Sequence, residues 1–260
     1  TFGKIFNEGT EFQRDGSQFD HLFTDGDSYE IGNERYYCDP YSLHKDVGDQ
    51  MQSNYKNAPG TPFASAARFI VGKMLIRQER QFATDFLKTG IWGKDITGVS
   101  GAPGANEVKQ WNDDAADPIA DVEAWKAEII GKTGIFPNVL ALGYKSFIAA
   151  KNHPSIIDRF KYTTSDNATA EILARLFEVE RVVVGSAIVN TAKKGQAAAN
   201  QMIFDKAALL VHAADAPGIE VPSAGYVFEW TDISDGLGET IGTKQFRMEH
   251  LAADRVESTI

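Results

Sequence analysis

Thr61-Pro62-Phe63-Ala64-Ser65-Ala66-Ala67-Arg68-Phe69-Ile70-Val71 opens the stretch on which the fold turns, and its pattern continues through Phe82 and Phe86 to about Lys88. Thr61 carries the side chain of an N-cap, and Pro62 falls on the first helical position, where a missing N–H costs nothing. Behind them Ala67, Val71, Leu75, Gln78, Phe82 and Phe86 recur at steps of three and four, one face of an amphipathic helix. The spacing predicts a helix over residues 61–89, closed by Gly90 and roughly 40 Å long at about 1.5 Å per residue. Arg68, Lys73, Arg80 and Asp85 fall on the other face.

Upstream, residues 1–60 mix Gly, Asp, Tyr and Phe without helical period. Between Ser28 and His44, the residues Tyr29, Ile31, Tyr37 and Tyr41 are separated by Gly32-Asn33 and Asp39-Pro40, a pattern of short strands and turns. An extended arm and a hairpin-like loop are expected there. Such a segment buries too little to fold alone and is expected to rest on something else, another subunit included.

Downstream, residues 90–112 read as loop, with Gly98 to Gly104 the most flexible-looking part. Asp117-Pro118 repeats the cap-plus-proline signal, and Ile119, Val122, Trp125 and Ile129 form the stripe of a helix ended by Gly131 or Gly134. The pattern then alternates. Val139 to Leu142 reads as strand, Tyr144 to Ala150 and Pro154 to Phe160 as helices, Ala168 to Phe177 as helix, and Glu180 to Val184 as strand. Ala207 to Val211 and Tyr226 to Trp230 read as strands, and Gln245 to Leu251 as a weaker one. No repeat of solenoid length is present.

The chain has 260 residues, enough for one large or two small domains. Apolar residues make up 43% and charged residues 24%, which excludes a disordered or rod-like chain. Net charge is -10, and it is uneven: residues 1–60 hold 11 acids and 5 bases, residues 215–260 hold 9 and 3, and the middle is slightly basic. No run of five or six Lys and Arg marks a nucleic-acid reader. Cys38 is the single cysteine, so an internal disulfide is excluded. The longest apolar runs fall far short of the roughly 20 residues of a membrane span, and a soluble protein is expected. The first residue is Thr1, and processing or a start within a longer product is the expectation drawn from it.

Tests for chemistry return mostly structural readings. Gly90-Ile91-Trp92-Gly93-Lys94-Asp95 has too few residues between its glycines for a phosphate loop, and Asp stands where a hydroxyl should be. Gly98, Gly101 and Gly104 are evenly spaced and follow no buried strand, against a dinucleotide site. His21, His44, His153, His212 and His250 are too far apart for local metal spacing. His153 precedes Pro154, so a role in starting a helix is the simpler account. No G-x-S-x-G elbow occurs, and Cys38 lies in an acidic stretch that disfavours a thiolate. Asp113, Asp114, Asp117 and Asp121 are the densest carboxylates, with Asp117 and Asp121 one helical turn apart. Paired carboxylates can serve as acid and base, but acids at a helix start are stabilised by the macrodipole, and capping is the expected role. No catalytic residue, cofactor or metal is assigned, and the chain is expected not to be an enzyme.

Several strings taken in order resemble the major capsid proteins of tailed double-stranded DNA bacteriophages. They are Trp111-Asn112-Asp113-Asp114-Ala115-Ala116-Asp117-Pro118-Ile119-Ala120-Asp121, Phe136-Pro137-Asn138-Val139-Leu140-Ala141-Leu142-Gly143 and His153-Pro154-Ser155-Ile156-Ile157-Asp158-Arg159-Phe160-Lys161-Tyr162. Leu176 to Gly185, Ala187 to Ala192 and Pro222 to Trp230 continue the order. The resemblance covers about residues 60–230, and the ends only by layout.

It implies an α+β fold of the Hong Kong 97 type, with an N-terminal arm, an extended hairpin loop, a long spine helix, a peripheral β-sheet and an axial α/β domain. Arm and loop then occupy residues 1–60, and the peripheral domain 61–118 with the spine helix over 61–89. The axial domain takes 119–225, and C-terminal strands over 226–260 return to the peripheral domain. The implied function is that of a head subunit, assembled in the host bacterial cytoplasm. Pentamers and hexamers of it form an icosahedral shell around the phage DNA, with scaffold, portal and decoration proteins as further partners and no membrane. DNA is enclosed without sequence-specific binding, and the acidic balance leaves it free to move. Tyr36, Tyr37 and Tyr41 are the candidate assembly contacts, since aromatic residues dominate interfaces; packing on their own subunit is the competing role. Lys45 lies in the loop region, but no motif gives it a partner, so the Lys–Asn cross-linking of some relatives is not carried over. The rivals are a bacterial nanocompartment shell, a tail or decoration protein, and a hydrolase using Asp117 and Asp121.

Overall fold

The computed structural model describes residues 2–3, 40–55, 61–160, 169–193, 195–218, 221–228 and 241–260. In chain order the elements begin with β1 (Phe2–Gly3), β2 (Ser42–Gly48), α1 (Asp49–Asn54), α2 (Pro62–Phe86), β3 (Thr97–Val99) and β4 (Glu107–Lys109). There follow α3 (Pro118–Thr133), β5 (Val139–Gly143), α4 (Tyr144–Lys151), α5 (Pro154–Phe160), α6 (Ala170–Leu176) and β6 (Arg181–Gly185). The rest are β7 (Ile188–Asn190), β8 (Asn200–Met202), β9 (Ala208–Val211), β10 (Tyr226–Val227), β11 (Gly242–Met248) and β12 (Ala253–Thr259). The result is a mixed α/β chain with, among the described residues, two apolar cores.

The first core lies between α2 and an antiparallel sheet of order β11-β12-β2. Thr61 caps α2 by accepting the Ala64 N–H, with Pro62 directly behind it, as the local sequence dictates. The covered stripe is Ala66, Ile70 and Met74, packed on Val47 of β2 and Val256 of β12. This corrects the register read from periodicity by one residue: Leu75 is 52% exposed. One helical position is a rotation of about 100°, and rows 66/70/74 and 67/71/75 are both apolar, so only the strands decide which is covered.

Sequence groups strand β2 with the arm and loop; among the described residues it is the outer strand of this sheet, paired antiparallel with β12 from Gly48↔Ala253 to Ser42↔Thr259. The weak strand expected at 245–251 is β11, shifted to 242–248, and a second strand, β12, follows it unforeseen. Directly opposed side chains hold the register: Arg255 forks onto Asp46 at 2.7 and 2.9 Å, Ser42 meets Thr259, and Thr243 meets Ser258.

The second core surrounds a sheet of order β6-β5-β9, with β5 parallel to β6 and antiparallel to β9. The run Val139-Leu140-Ala141-Leu142 is apolar without alternation because β5 is central and buried on both faces. Leu140 and Leu142 pack with Ile119, Val122, Ile156, Leu173 and Phe177 from the surrounding helices. Asp117 caps α3 through the N–H groups of Ile119 and Ala120, and Gly134 ends it in the left-handed conformation, φ 69°. Within the segment read as loop, β3 and β4 make a short parallel pair. The strand expected at 226–230 is reduced, among the described residues, to β10, which pairs with β1.

Where the chain leaves β5 and β6, Gly143 and Gly185 stand side by side in register. Phe204 and Asp205 cross immediately over them: a Cβ on Gly143 would lie 2.3 Å from the Asp205 carbonyl oxygen, and one on Gly185 would lie 2.7 Å from the Phe204 ring. The close approach, not backbone conformation, requires glycine at Gly143, whose φ of -65° and ψ of 151° any residue adopts.

Candidate assembly surface

The aspartate-rich string beginning at Trp111 is folded around structural tasks. Trp111 is buried, stacks on Trp125 and Phe177, and donates its indole N–H to Asp121 at 2.9 Å. Burial holds the Asp121 carboxyl above its ordinary value; the indole hydrogen bond opposes that shift and the Asp117 charge one turn away adds to it. Asp113 moves the other way, because it accepts the Ala115 N–H and pairs with Lys109. Asp117 spends its side chain on the helix cap. The two carboxylates weighed as an acid–base pair are therefore a cap and a tryptophan acceptor.

His153 joins this string to α5. Its Nδ1 accepts the Ser155 N–H at 3.2 Å, which leaves Nε2–H to donate to the Asp113 carbonyl at 3.2 Å, and the ring is buried. The ring thus starts α5 and anchors the Trp111 loop. Among the described residues no group of three or more His, Cys, Asp or Glu is placed to hold a metal ion. Nor is any helix there long and apolar enough to cross a membrane.

Two polar residues that motif reasoning missed organise the second core. Lys126 lies on the buried stripe of α3 and donates to the Phe177 carbonyl at 2.9 Å, at the C-terminal end of α6, while pairing with Glu178 at 3.1 Å. The signal was present in the sequence: a lysine four residues after Val122, within the apolar stripe. Asn138 clamps the start of β5 to the chain leaving β9, accepting the Ala213 N–H and donating to the Ala213 carbonyl, both at 2.8 Å.

Of the three tyrosines selected by sequence, Tyr36 and Tyr37 lie outside the described residues. Tyr41 is half-buried on its own subunit: its backbone pairs with Ile260 in both directions at 3.0 Å, and the Arg77 guanidinium sits 3.3 Å from its ring centroid. Exposed apolar side chains of this body come from residues the sequence reading did not select. On the α2 body these include Phe69 and Leu75, each about half exposed, with Leu43, Phe246 and Leu251 on the strands and the turn between β11 and β12. Lys45 and Lys73 both reach over the Phe69 ring.

A comparison with solved structures then places the architecture. The crystal structure of a phage-related protein from Bordetella bronchiseptica RB50 superposes with a TM-score of 0.69 at 24% identity, over 89% of this chain and 73% of that one. This chain shares that protein's fold. At the level of sequence, 73 residues are 36% identical to the major capsid protein of Burkholderia phage BcepMu, 28% of this chain and 24% of that protein. A further match is to the major capsid protein of Pseudomonas phage JBD67, 28% identical over 89 residues, 34% of this chain and 28% of that one. The matched segments span about a quarter of the length of each of these curated relatives. No protein-family profile matches the chain.

Proposed function

We propose that this protein is the structural subunit of a phage head, and that many copies associate as pentamers and hexamers into an icosahedral shell enclosing double-stranded DNA. The observation that carries this reading is the match, at 36% identity, to a protein named as a major capsid protein, beside a phage-related fold over most of the chain. The architecture agrees with a Hong Kong 97-type layout. Helix α2 backed by the β11-β12-β2 sheet corresponds to a peripheral domain with its spine, and the body around β5 to an axial domain. Residues 1–39 then supply the arm and part of the loop, with Tyr36, Tyr37 and Tyr41 as contact anchors. The carboxylates considered for hydrolysis are committed to capping and to Trp111, which favours a structural over an enzymatic role. Scaffold, portal and decoration proteins are the further partners this reading brings, and the virion is its location.

Negative-stain electron microscopy of the purified protein after size-exclusion chromatography at physiological salt tests the proposal. Closed polyhedral particles, or flat pentamers and hexamers, are expected. A monomer or small dimer that persists with rising concentration and added scaffold overturns it.

A further inference from the structure

Lys73, Arg77 and Arg80 are scattered along the sequence, so no basic run is visible, and only the helix brings them together. At about 100° per residue they fall on one flank of α2, and all three are exposed. Lys45 of β2 extends the row: it and Lys73 both reach over the Phe69 ring, at 4.8 and 5.6 Å from its centroid. Arg77 lies over Tyr41 in the same way.

The acids of the helix are elsewhere. Glu79 and Asp85 sit more than about 100° round the axis from the row. Residues 61–88 hold five Lys and Arg against two Asp and Glu, in a chain of net charge -10. Among the described residues none of Lys45, Lys73, Arg77 and Arg80 makes an ion pair, whereas Lys94, Lys109, Lys126, Lys132, Lys145, Arg247 and Arg255 do. Four cations left side by side repel one another, a cost that an anion removes.

The shape of the row selects an elongated anion. Lys73 to Arg80 is seven residues, about 10 Å of helix axis. Over that length each strand of a DNA duplex presents about three phosphates, at about 3.4 Å of axis apiece, against three helix cations with Lys45 beside them. Nothing in the row reads a base: Phe69 and Tyr41, the rings that could stack on one, give their faces to Lys45, Lys73 and Arg77. An acidic polypeptide is the other elongated anion, but its recognition draws on apolar contacts beside the charges, and the ring faces that would supply them are taken by the same cations.

We infer that Lys45, Lys73, Arg77 and Arg80 form a contact for the phosphate backbone of double-stranded DNA, independent of base sequence. The inference rests on the shell reading above, which makes DNA the enclosed polymer, and names the side of the subunit that touches it. The acidic remainder of the chain repels DNA, which confines contact to the row. Each contact is weak and exchanges quickly, and repetition over many subunits supplies the hold.

Fluorescence anisotropy of a labelled 30-bp duplex with the unassembled full chain tests it. Four phosphate contacts give a log–log salt slope of about -3.6, so the association constant should fall roughly 150-fold between 50 and 200 mM KCl. Two duplexes of unrelated sequence should bind equally. The variant Lys73→Gln/Arg80→Gln, which leaves Arg77 on Tyr41, should make the slope shallower by about 2 with an unchanged melting curve. The control Lys132→Gln/Lys145→Gln removes two lysines already paired with Glu128 and Asp205 and should leave the slope as it is. A slope that keeps its wild-type value in Lys73→Gln/Arg80→Gln, or drops as far in the control, overturns the inference. So does absence of duplex binding at 50 mM KCl; if the same preparation forms closed particles under the microscope, the shell reading stands without it. Binding of poly-L-glutamate that is lost in Lys73→Gln/Arg80→Gln, with no duplex binding, overturns it in favour of an acidic polypeptide. Single strands bound more than tenfold tighter than the duplex overturn it in favour of base stacking. A preparation that forms neither particles nor capsomers overturns the shell reading itself, whatever its DNA binding.

Discussion

Replacing Gly143 by alanine removes the clearance on which the crossing at the end of β5 depends. The new Cβ would stand 2.3 Å from the Asp205 carbonyl oxygen, 2.6 Å from its carbon and 2.9 Å from the Phe204 oxygen. Ordinary contact begins near 3.4 Å, so the 204–205 backbone has to retreat by about 1 Å. That backbone is not free to do so. Gly143 N–H donates to Ala207 at 2.9 Å, Lys145 N–H to Asp205 at 3.2 Å, and Ile203 N–H to Ala187 at 2.9 Å, while Phe204 is buried against Gly185. Overpacking at about 1–3 kcal/mol, plus one or two weakened hydrogen bonds at about 1 kcal/mol each, gives a loss of about 3 kcal/mol. For a chain of this size that is a fall of roughly 6–12 °C in Tm. Gly185→Ala meets the Phe204 ring at 2.7 Å and its Cβ at 2.8 Å, a smaller clash that rotating the ring relieves only in part, and should cost about 1–2 kcal/mol. Gly131→Ala faces open space within α3 and should add about 0.5–1 kcal/mol. Urea unfolding of the unassembled chain, followed by circular dichroism, measures all three. A Gly143→Ala loss below about 1 kcal/mol, or a loss no larger than that of Gly185→Ala, refutes the reasoning.

Asp117→Ala should destabilise by about 1 kcal/mol through loss of the α3 cap, whereas Asp117→Asn, which still caps, should stay within a few tenths; the same unfolding assay separates them. Lys126→Ala leaves the Phe177 carbonyl at the end of α6 without its donor and should cost about 1–3 kcal/mol, read as a shift in urea midpoint without a change in slope. Acid should weaken the α2 sheet through Asp46, whose carboxyl the Arg255 hydrogen bond holds below its ordinary value of 3.8. The pair therefore contributes above about pH 3.8, and its contribution is lost as pH falls through the lower folded value; Asp46→Asn should flatten that part of the stability profile between pH 5 and 2. Asp121 has the opposite sign: burial raises its folded value, so ionising it costs stability as pH rises through that range, and Asp121→Asn should gain on wild type at pH 7 relative to pH 3.

Local chemistry was legible in the sequence wherever a short-range rule acts. The caps Thr61 and Asp117, the prolines behind them and the apolar run of β5 rest on neighbours within four residues, and the helices begin where those signals stand. The register of α2 was not legible, because the choice between two apolar rows is made by Val47 and Val256 on strands far away in the chain. Strand β12, Ala-Asp-Arg-Val-Glu-Ser-Thr, has Val256 as its single large apolar residue. It is held by backbone pairing on both sides and by the Arg255–Asp46 fork, neither of which leaves an apolar alternation to read. At the candidate surface, Tyr41 was visible as an aromatic residue directly after the Asp39-Pro40 turn. Its partner Arg77 became meaningful only once α2 lay beside β2.

The way the α2 sheet is closed also sets a clock on synthesis. Strand β2 leaves the ribosome early, yet its partner β12 lies some 209 residues later, as the Asp46–Arg255 pairing measures. Until β12 has emerged, Ala66, Ile70 and Met74 have no complete cover, and β2 lacks the strand it pairs with among the described residues. The body around β5, finished by Val211, can fold first as domains do during translation. A chain that stops before Ala253 therefore lacks the strand that pairs with β2 and helps cover α2. Emergence of β12 is the event that closes this body, and a fragment made without it keeps the α2 stripe uncovered.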